Sequence, residues 1–238
     1  MSGADQTMAN KRNFWNQQYK KPTHLELSDE PAEDLEKFCR FLERRTKRAL
    51  LNVTTQAVDI GCGNGRNLIY LSRTFGMRGM GYDLSSEAVA QATHNAAGLP
   101  VAFHVQDLRK PIPLPDASCT IALDMMASHI LKKNERDALM YEVLRVLKPG
   151  GWLFFKSFLL DDDANAARML RENPGPEEGM YIHPEIGHAE YVWTLSAIRD
   201  QYEDFFTIHK IDKSYKHRRV DGSPWKRRTV CVYLEKES

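Results

Sequence analysis

The sequence predicts an α/β fold: a doubly wound, mostly parallel sheet of seven strands that closes with an antiparallel C-terminal hairpin. Three observations predict it. Short apolar runs alternate with helical segments over residues 56–158, and strands joined by helices require parallel pairing through right-handed crossovers. The first run leads into VDIGCGNGR (58–66), which sets Gly61, Gly63 and Gly65 at a strand exit, where ligands bind in such sheets. After residue 205 the alternation stops, and FTIHKIDKSYK and WKRRTVCVYLEK flank Asp221-Gly222, a hairpin signal.

The elements follow in chain order. Residues 1–27 have weak periodicity, but Phe14, Trp15 and Tyr19 are too aromatic for a loose tail and are expected to fold back as core. Residues 31–50 read as a helix. Ser28 or Asp29 can cap it, Pro31 suits its first turn, acids crowd its start and Arg44, Arg45, Lys47 and Arg48 its end. Leu35, Phe38, Cys39 and Leu42 form its buried stripe at i, i+3, i+4, i+7. Residues 1–55 are therefore expected to be a helical cap segment of one domain whose body is 56–238. Strands are expected at 56–60, 77–83, 101–107, 119–125 and 152–158. Helices are expected at 67–75 closed by Gly76, at 86–97 closed by Gly98, and at 134–147 with an Asn134 cap and Asp137 at its third position. KPGG (148–151) stops the last of these. Residues 161–188 read as a helix followed by loop, and a helix starts near Thr194.

Composition excludes several classes. The 238 residues are 42% hydrophobic and 27% charged, ordinary for a globular protein, and the net charge of +1 gives no global pull toward nucleic acid. Four separated cysteines without a C-x-x-C pair fit a reducing compartment rather than a zinc or dithiol site. Neither an N-terminal apolar leader nor a long apolar span is present, so a cytoplasmic protein without membrane partners is expected.

The chemistry sits at the strand tips. The spacing G-x-G-x-G departs from the dinucleotide fingerprint G-x-G-x-x-G, and Arg66 stands where its third glycine would be. Asp59 would set a negative charge beside any phosphate, which disfavours both a phosphate cradle and a nicotinamide oxidoreductase. An acid beside a bare turn suits a cationic ligand. Asp83 ends the second strand, where a carboxylate accepts from both hydroxyls of a ribose, and Asp107 ends the third, where it can accept from an adenine amino group. Leu84 and Leu108 are placed to cover the faces of a flat base.

These residues resemble the class I S-adenosylmethionine-dependent methyltransferases, in VDIGCGNGR, in GYDLS with Asp83, and in EVLRVLKPGGWLFF (142–155). GCGNGRNLIYLS is most similar to their tellurite-resistance and thiopurine-type small-molecule branch. The resemblance implies a Rossmann-like fold, S-adenosylmethionine as cofactor and methyl transfer by in-line displacement. It implies that Asp59 and the backbone of Gly61, Cys62, Gly63, Asn64 and Gly65, with Asn67 beyond, hold the methionine portion. Asp83 would take the ribose, Leu84 the adenine face, and Asp107 with Leu108 the adenine edge. Asp124 and Met125 would border the sulfonium and the nucleophile, and His129 could take the acceptor's proton. A small-molecule acceptor is favoured; an RNA or protein acceptor, or a cofactor-binding regulatory protein without turnover, are the alternatives.

Three clusters stay outside this scheme. His183, Glu185, His188 and Glu190 carry metal-ligand side chains, but Pro184 and Gly187 imply an irregular loop, read as substrate-facing rather than metal-binding. Asp161, Asp162 and Asp163 read as a solvated, helix-capping turn. The basic run Lys213, Lys216, Arg218, Arg219, Lys226, Arg227 and Arg228, with His217 and Trp225, reads as an edge that blocks aggregation, with RNA contact as its alternative.

Overall fold

A computed structural model describes the backbone of residues 3–25, 27–214 and 227–237. They fold as two compact units, residues 1–108 and 109–238. Of the seven strands expected, three lie in the first unit and four in the second.

The first unit runs α1 (Gly3–Lys20), α2 (Glu33–Thr46), β1 (Gln56–Ile60), α3 (Arg66–Phe75), β2 (Arg78–Asp83), α4 (Ser86–Asn95) and β3 (Val101–Val105). Its strands lie parallel in the order β3-β2-β1, with Asp59 opposite Gly81 and Asp83 opposite Val105. Residues 57–60 of β1 are all buried, as expected for a parallel strand covered on both faces. The stripe Leu35, Phe38, Cys39 and Leu42 buries one face of α2 as predicted. Residues 3–20, expected within a helical cap segment despite weak periodicity, form a helix. Two expectations about α2 fail. Neither Ser28 nor Asp29 caps α2: Ala32 is its N-cap, and the Ala32 N–H donates instead to Asn67 Oδ1 at 3.0 Å. Helix α2 ends earlier than residue 50, at left-handed Lys47 and Arg48.

The second unit runs β4 (Cys119–Met125), α5 (Lys133–Val146), β5 (Leu147–Leu159), α6 (Ala164–Glu172), β6 (Met180–Ile182), β7 (Ala189–Tyr191), α7 (Leu195–Tyr202), β8 (Phe206–Ser214) and β9 (Arg228–Lys236). Strand order is β4-β5-β9-β8, with β4 and β5 parallel and β9 antiparallel to both β5 and β8. The fully buried rings of Trp152, Phe154 and Phe155 make β5 the heart of this unit, each burial contributing roughly 2–3 kcal/mol. Here too the local signals mislead at boundaries. Asn134 is not the cap of α5, which starts after Lys132, whose N–H donates to Glu135 Oε2 at 2.9 Å. Residues 180–191, read as loop, form an antiparallel β6–β7 hairpin. Asp163, expected as a solvated capping residue, does cap α6, accepting from the Asn165 and Ala166 amides at 2.9 and 3.0 Å, but it is buried.

Candidate functional site

The turn leaving β1 is built from left-handed glycines, Gly61, Gly63 and Gly65, with φ of 70°, 55° and 80°. The Gly61 and Cys62 amides donate to the Tyr82 carbonyl at 2.8 and 3.0 Å, which folds the turn back against the end of β2. Gly65 is the N-cap of α3 without a side-chain cap. A Cβ on it would lie 2.7 Å from Phe103 Cζ and 2.9 Å from Ala92 Cβ, so this glycine serves close packing. Gly63 differs: its Cβ would meet the Tyr19 hydroxyl at 2.5 Å and nothing else closer than that ring.

Asp83 clasps the turn. One carboxylate oxygen accepts from the Gly63 amide at 2.9 Å and the other from the Ser85 amide at 2.8 Å. Burial pushes its carboxyl above the ordinary range, against the lowering effect of the amides of Ser85, Gly63 and Leu84. Asp59 is buried at the tip of β1. Leu84, Asp107 and Leu108 are half-buried. β3 ends at Val105, so Asp107 stands two residues past the strand rather than on it. Asn64 donates to the Ser28 carbonyl at 3.0 Å and Asn67 accepts from Ala32, so both side chains anchor the connection between α1 and α2.

Helix α1 adds residues that periodicity did not reveal. Asn16 Oδ1 accepts from the Ser85 hydroxyl at 2.7 Å, the Tyr19 carbonyl accepts from Gln91 Nε2 at 2.8 Å, and Lys20 pairs with Glu87 at 3.2 Å. These contacts fix α1 to α4 and set the Tyr19 hydroxyl in front of Gly63. Burial, then the nearby Asp83 charge, push that phenol far up, so it stays protonated and available as a donor. Its only advance signal was the aromatic pair Trp15 and Tyr19 one turn apart.

In the second unit, Asp124 and Met125 end β4. Asp124 is buried, accepts from the Ser128 amide at 3.1 Å, and burial raises its carboxyl to about 6. Met126 follows in the left-handed region at φ 63°, a costly conformation for a side chain of this size. His129 is 6% exposed and packs edge-on against Phe158 at 5.2 Å. Burial lowers it to about 4, so it is neutral at pH 7, and its Nδ1 has no partner among the described residues.

Strand β7 packs on the turn at residues 128–130. It carries Glu190, which accepts from the Tyr181 hydroxyl at 2.5 Å and from Arg227 Nη2 at 3.0 Å. Arg227 also donates to Tyr181, and its guanidinium carbon lies 3.3 Å from the centre of the Phe158 ring. His183 is buried, with its amide on the His188 carbonyl at 2.9 Å, closing the β6–β7 hairpin. The four residues read as possible metal ligands are thus parts of a hairpin, and among the described residues no three His, Cys, Asp or Glu side chains cluster as a metal site. Lys216, His217, Arg218, Arg219, Trp225 and Lys226 of the basic run, and the expected Asp221-Gly222 turn, lie outside the described residues. Among the described residues, no helix is long and apolar enough to cross a membrane.

Comparison with known proteins accords with this geometry. Residues 57–151 match the family described as "Methyltransferase domain". The chain is similar to the fatty-acid O-methyltransferase of Mycolicibacterium smegmatis, 34% identical over 103 residues, which cover 42% of this chain and 36% of that protein. It is also similar to the 27-O-demethylrifamycin SV methyltransferase of Amycolatopsis mediterranei, 29% identical over 58% of this chain and 51% of that one. The chain spans about half or less of the length of these curated relatives. In fold it is similar to an S-adenosylmethionine-dependent methyltransferase from Methanosarcina mazei, with TM-score 0.68 and 22% identity over 82% of this chain and 98% of the other. A further similar structure is geranyl diphosphate C-methyltransferase from Streptomyces coelicolor A3(2), in complex with S-adenosyl-L-homocysteine, with TM-score 0.67 and 14% identity over 96% and 97% of the two chains.

Proposed function

We propose that this protein, whose residues 57–151 match a methyltransferase domain, is a class I S-adenosylmethionine-dependent methyltransferase that transfers the cofactor's methyl group to an oxygen of a small molecule. The observation that carries the reading is the clasp of Asp83 on the Gly63 amide. A carboxylate held by one amide on each oxygen keeps a second lone pair on each for a ribose diol. The same clasp holds the bare Gly63 peptide in place, with the protonated Tyr19 hydroxyl in front of it as a donor.

The first unit's residues then fit the cofactor as follows. Asp59 and the peptides of Gly61, Cys62, Gly63, Asn64 and Gly65 hold the methionine portion, with Asn67 bracing the turn. Asp83 holds the ribose, and Leu84, Asp107 and Leu108 the adenine. When bound, the cofactor supplies an electrophilic methyl whose bonding pair leaves with sulfur. The protein supplies orientation, and holding the acceptor oxygen in line can account for most of the acceleration.

The second unit supplies the acceptor's surroundings in this reading. Asp124 and Met125 border the reacting group. His129, neutral at pH 7, can accept a proton from an acidic acceptor, although a base held at about 4 transfers it onward rather than keeping it. Two of the relatives are named as acting at oxygen, which supports an oxygen acceptor. The test uses S-adenosylmethionine labelled in the methyl group, with cell extract split into small-molecule and macromolecular fractions. Label in the small-molecule fraction that vanishes with Asp83→Asn supports the proposal; label only in protein or RNA overturns the small-molecule half of it.

A further inference from the structure

Arg136, in the first turn of α5, is 6% exposed, yet no carboxylate of the described residues lies within salt-bridge distance of it. Among the described residues, the one hydrogen bond of its guanidinium runs from Nη1 to the Leu131 carbonyl at 2.6 Å. Its guanidinium carbon lies 3.7 Å over the Tyr191 ring and 5.6 Å from that of Trp193, which fixes the plane of the group. Nε and Nη2 have no partner among the described residues. Unlike the indole nitrogen of Trp193, these two nitrogens are not fully buried, so an acceptor that displaces their water gains charge-assisted hydrogen bonds.

Arg136 lines a small cavity with Asp124, Ser128, Trp193, Gln201 and Tyr202, the rest of the wall being aliphatic. A second, independent group there is also unsatisfied. Trp193 is 2% exposed, and its indole Nε1 has no partner among the described residues. Two residues that line one cavity thus carry unused donors, which suits a ligand rich in acceptors, and a planar fork favours a carboxylate or similar oxyanion over a neutral carbonyl. Asp124 on the same wall does not forbid this. Burial pushes its carboxyl up to about 6, so an anion bound beside it would favour uptake of a proton there, which removes the repulsion. The cavity has room for about one water, so a single oxygen of an anion fits within it and the rest of the ligand lies outside.

We propose that Arg136 and the Trp193 indole form an oxyanion site in the second unit, and that its ligand is a carboxylate of the methyl acceptor. The second half rests on the methyl-transfer reading above. It also suits His129, since an acceptor that arrives ionised needs no strong base.

The first experiment titrates sodium formate, with formamide and sodium chloride as controls, into the full chain. The Arg136 Nε–H and Trp193 indole N–H resonances are followed by NMR. Formate should shift both saturably while the controls do not, and Arg136→Met should weaken the Trp193 response at least about tenfold, with Arg136→Lys between the two. No saturable shift, an equal response to formamide, or an unchanged response in Arg136→Met would overturn the site. Arg136→Lys keeps the test open if the methionine variant does not fold.

The second experiment passes the small-molecule extract over an anion exchanger before the labelling assay. Acceptor activity should be in the retained, anionic fraction; activity confined to the flow-through refutes a carboxylate acceptor. Calorimetry with S-adenosylhomocysteine runs alongside, because loss of cofactor binding counts against the methyl-transfer reading, whereas intact cofactor binding with no formate response counts against the oxyanion site alone.

Discussion

Replacing Gly63 by alanine separates the two demands on the turn. At φ 55° an alanine sits in the left-handed region, which costs about 1–2 kcal/mol. Its Cβ would also lie 2.5 Å from the Tyr19 hydroxyl, whereas the next ring atom, Cζ, is at 3.4 Å, ordinary contact. The steric conflict therefore resides in one oxygen, and overpacking of this kind costs about 1–3 kcal/mol. Gly63→Ala should thus destabilise the chain by about 2–5 kcal/mol, lowering Tm by about 5–20 °C for a protein of this length. Tyr19→Phe deletes that oxygen. In the double variant the steric part should return while the backbone part remains, giving a coupling of about 1–3 kcal/mol in a double-mutant cycle read by urea denaturation. Strictly additive effects would refute the placement of Tyr19 over the turn.

Three further outcomes are expected. Asp83→Asn leaves the fold intact but weakens S-adenosylhomocysteine binding by at least about a hundredfold, since two hydrogen bonds to a charged acceptor contribute roughly 3 kcal/mol or more; calorimetry checks this. His129 binds no proton in the fold until pH falls to about 4, against the ordinary 6.5, so the unfolded chain binds more protons in that interval. Its contribution is complete above pH 6.5 and lost as pH falls toward 4, about 3 kcal/mol in all. Between pH 7 and 4, His129→Gln should lose about that much less stability than the native chain, and parallel denaturation curves across that range would contradict the buried neutral imidazole. Asp163→Ala removes the acceptor of the Asn165, Ala166 and Arg228 amides. It should cost about 1–3 kcal/mol in thermal unfolding and leave cofactor affinity unchanged.

The parts of the fold legible in the sequence are those set by local pattern. β1 and β4 read clearly because parallel strands are buried on both faces, and the turn at 61–65 because left-handed backbone selects glycine. Asp83 was legible because strand ends are fixed by the same pattern. What escaped depends on contacts distant in sequence. Helix α1 is held by Asn16 on Ser85 and by Gln91 on the Tyr19 carbonyl, pairs 69 and 72 residues apart. The start of α2 is satisfied by Asn67, 35 residues away, which made the nearer Ser28 and Asp29 false caps. The β6–β7 hairpin is pinned by Arg227 on Glu190, 37 residues apart, so its His and Glu residues read as loop. Arg136 looked like one more helix charge, since nothing local says that its guanidinium turns inward under Tyr191 and Trp193.

The central claim is that the glycine turn and Asp83 bind S-adenosylmethionine. Calorimetry of the full chain with S-adenosylhomocysteine tests it most directly. One saturable site per chain, lost in Asp83→Asn, is the predicted result, and a flat titration with folded protein, or binding that Asp83→Asn leaves unchanged, would contradict it.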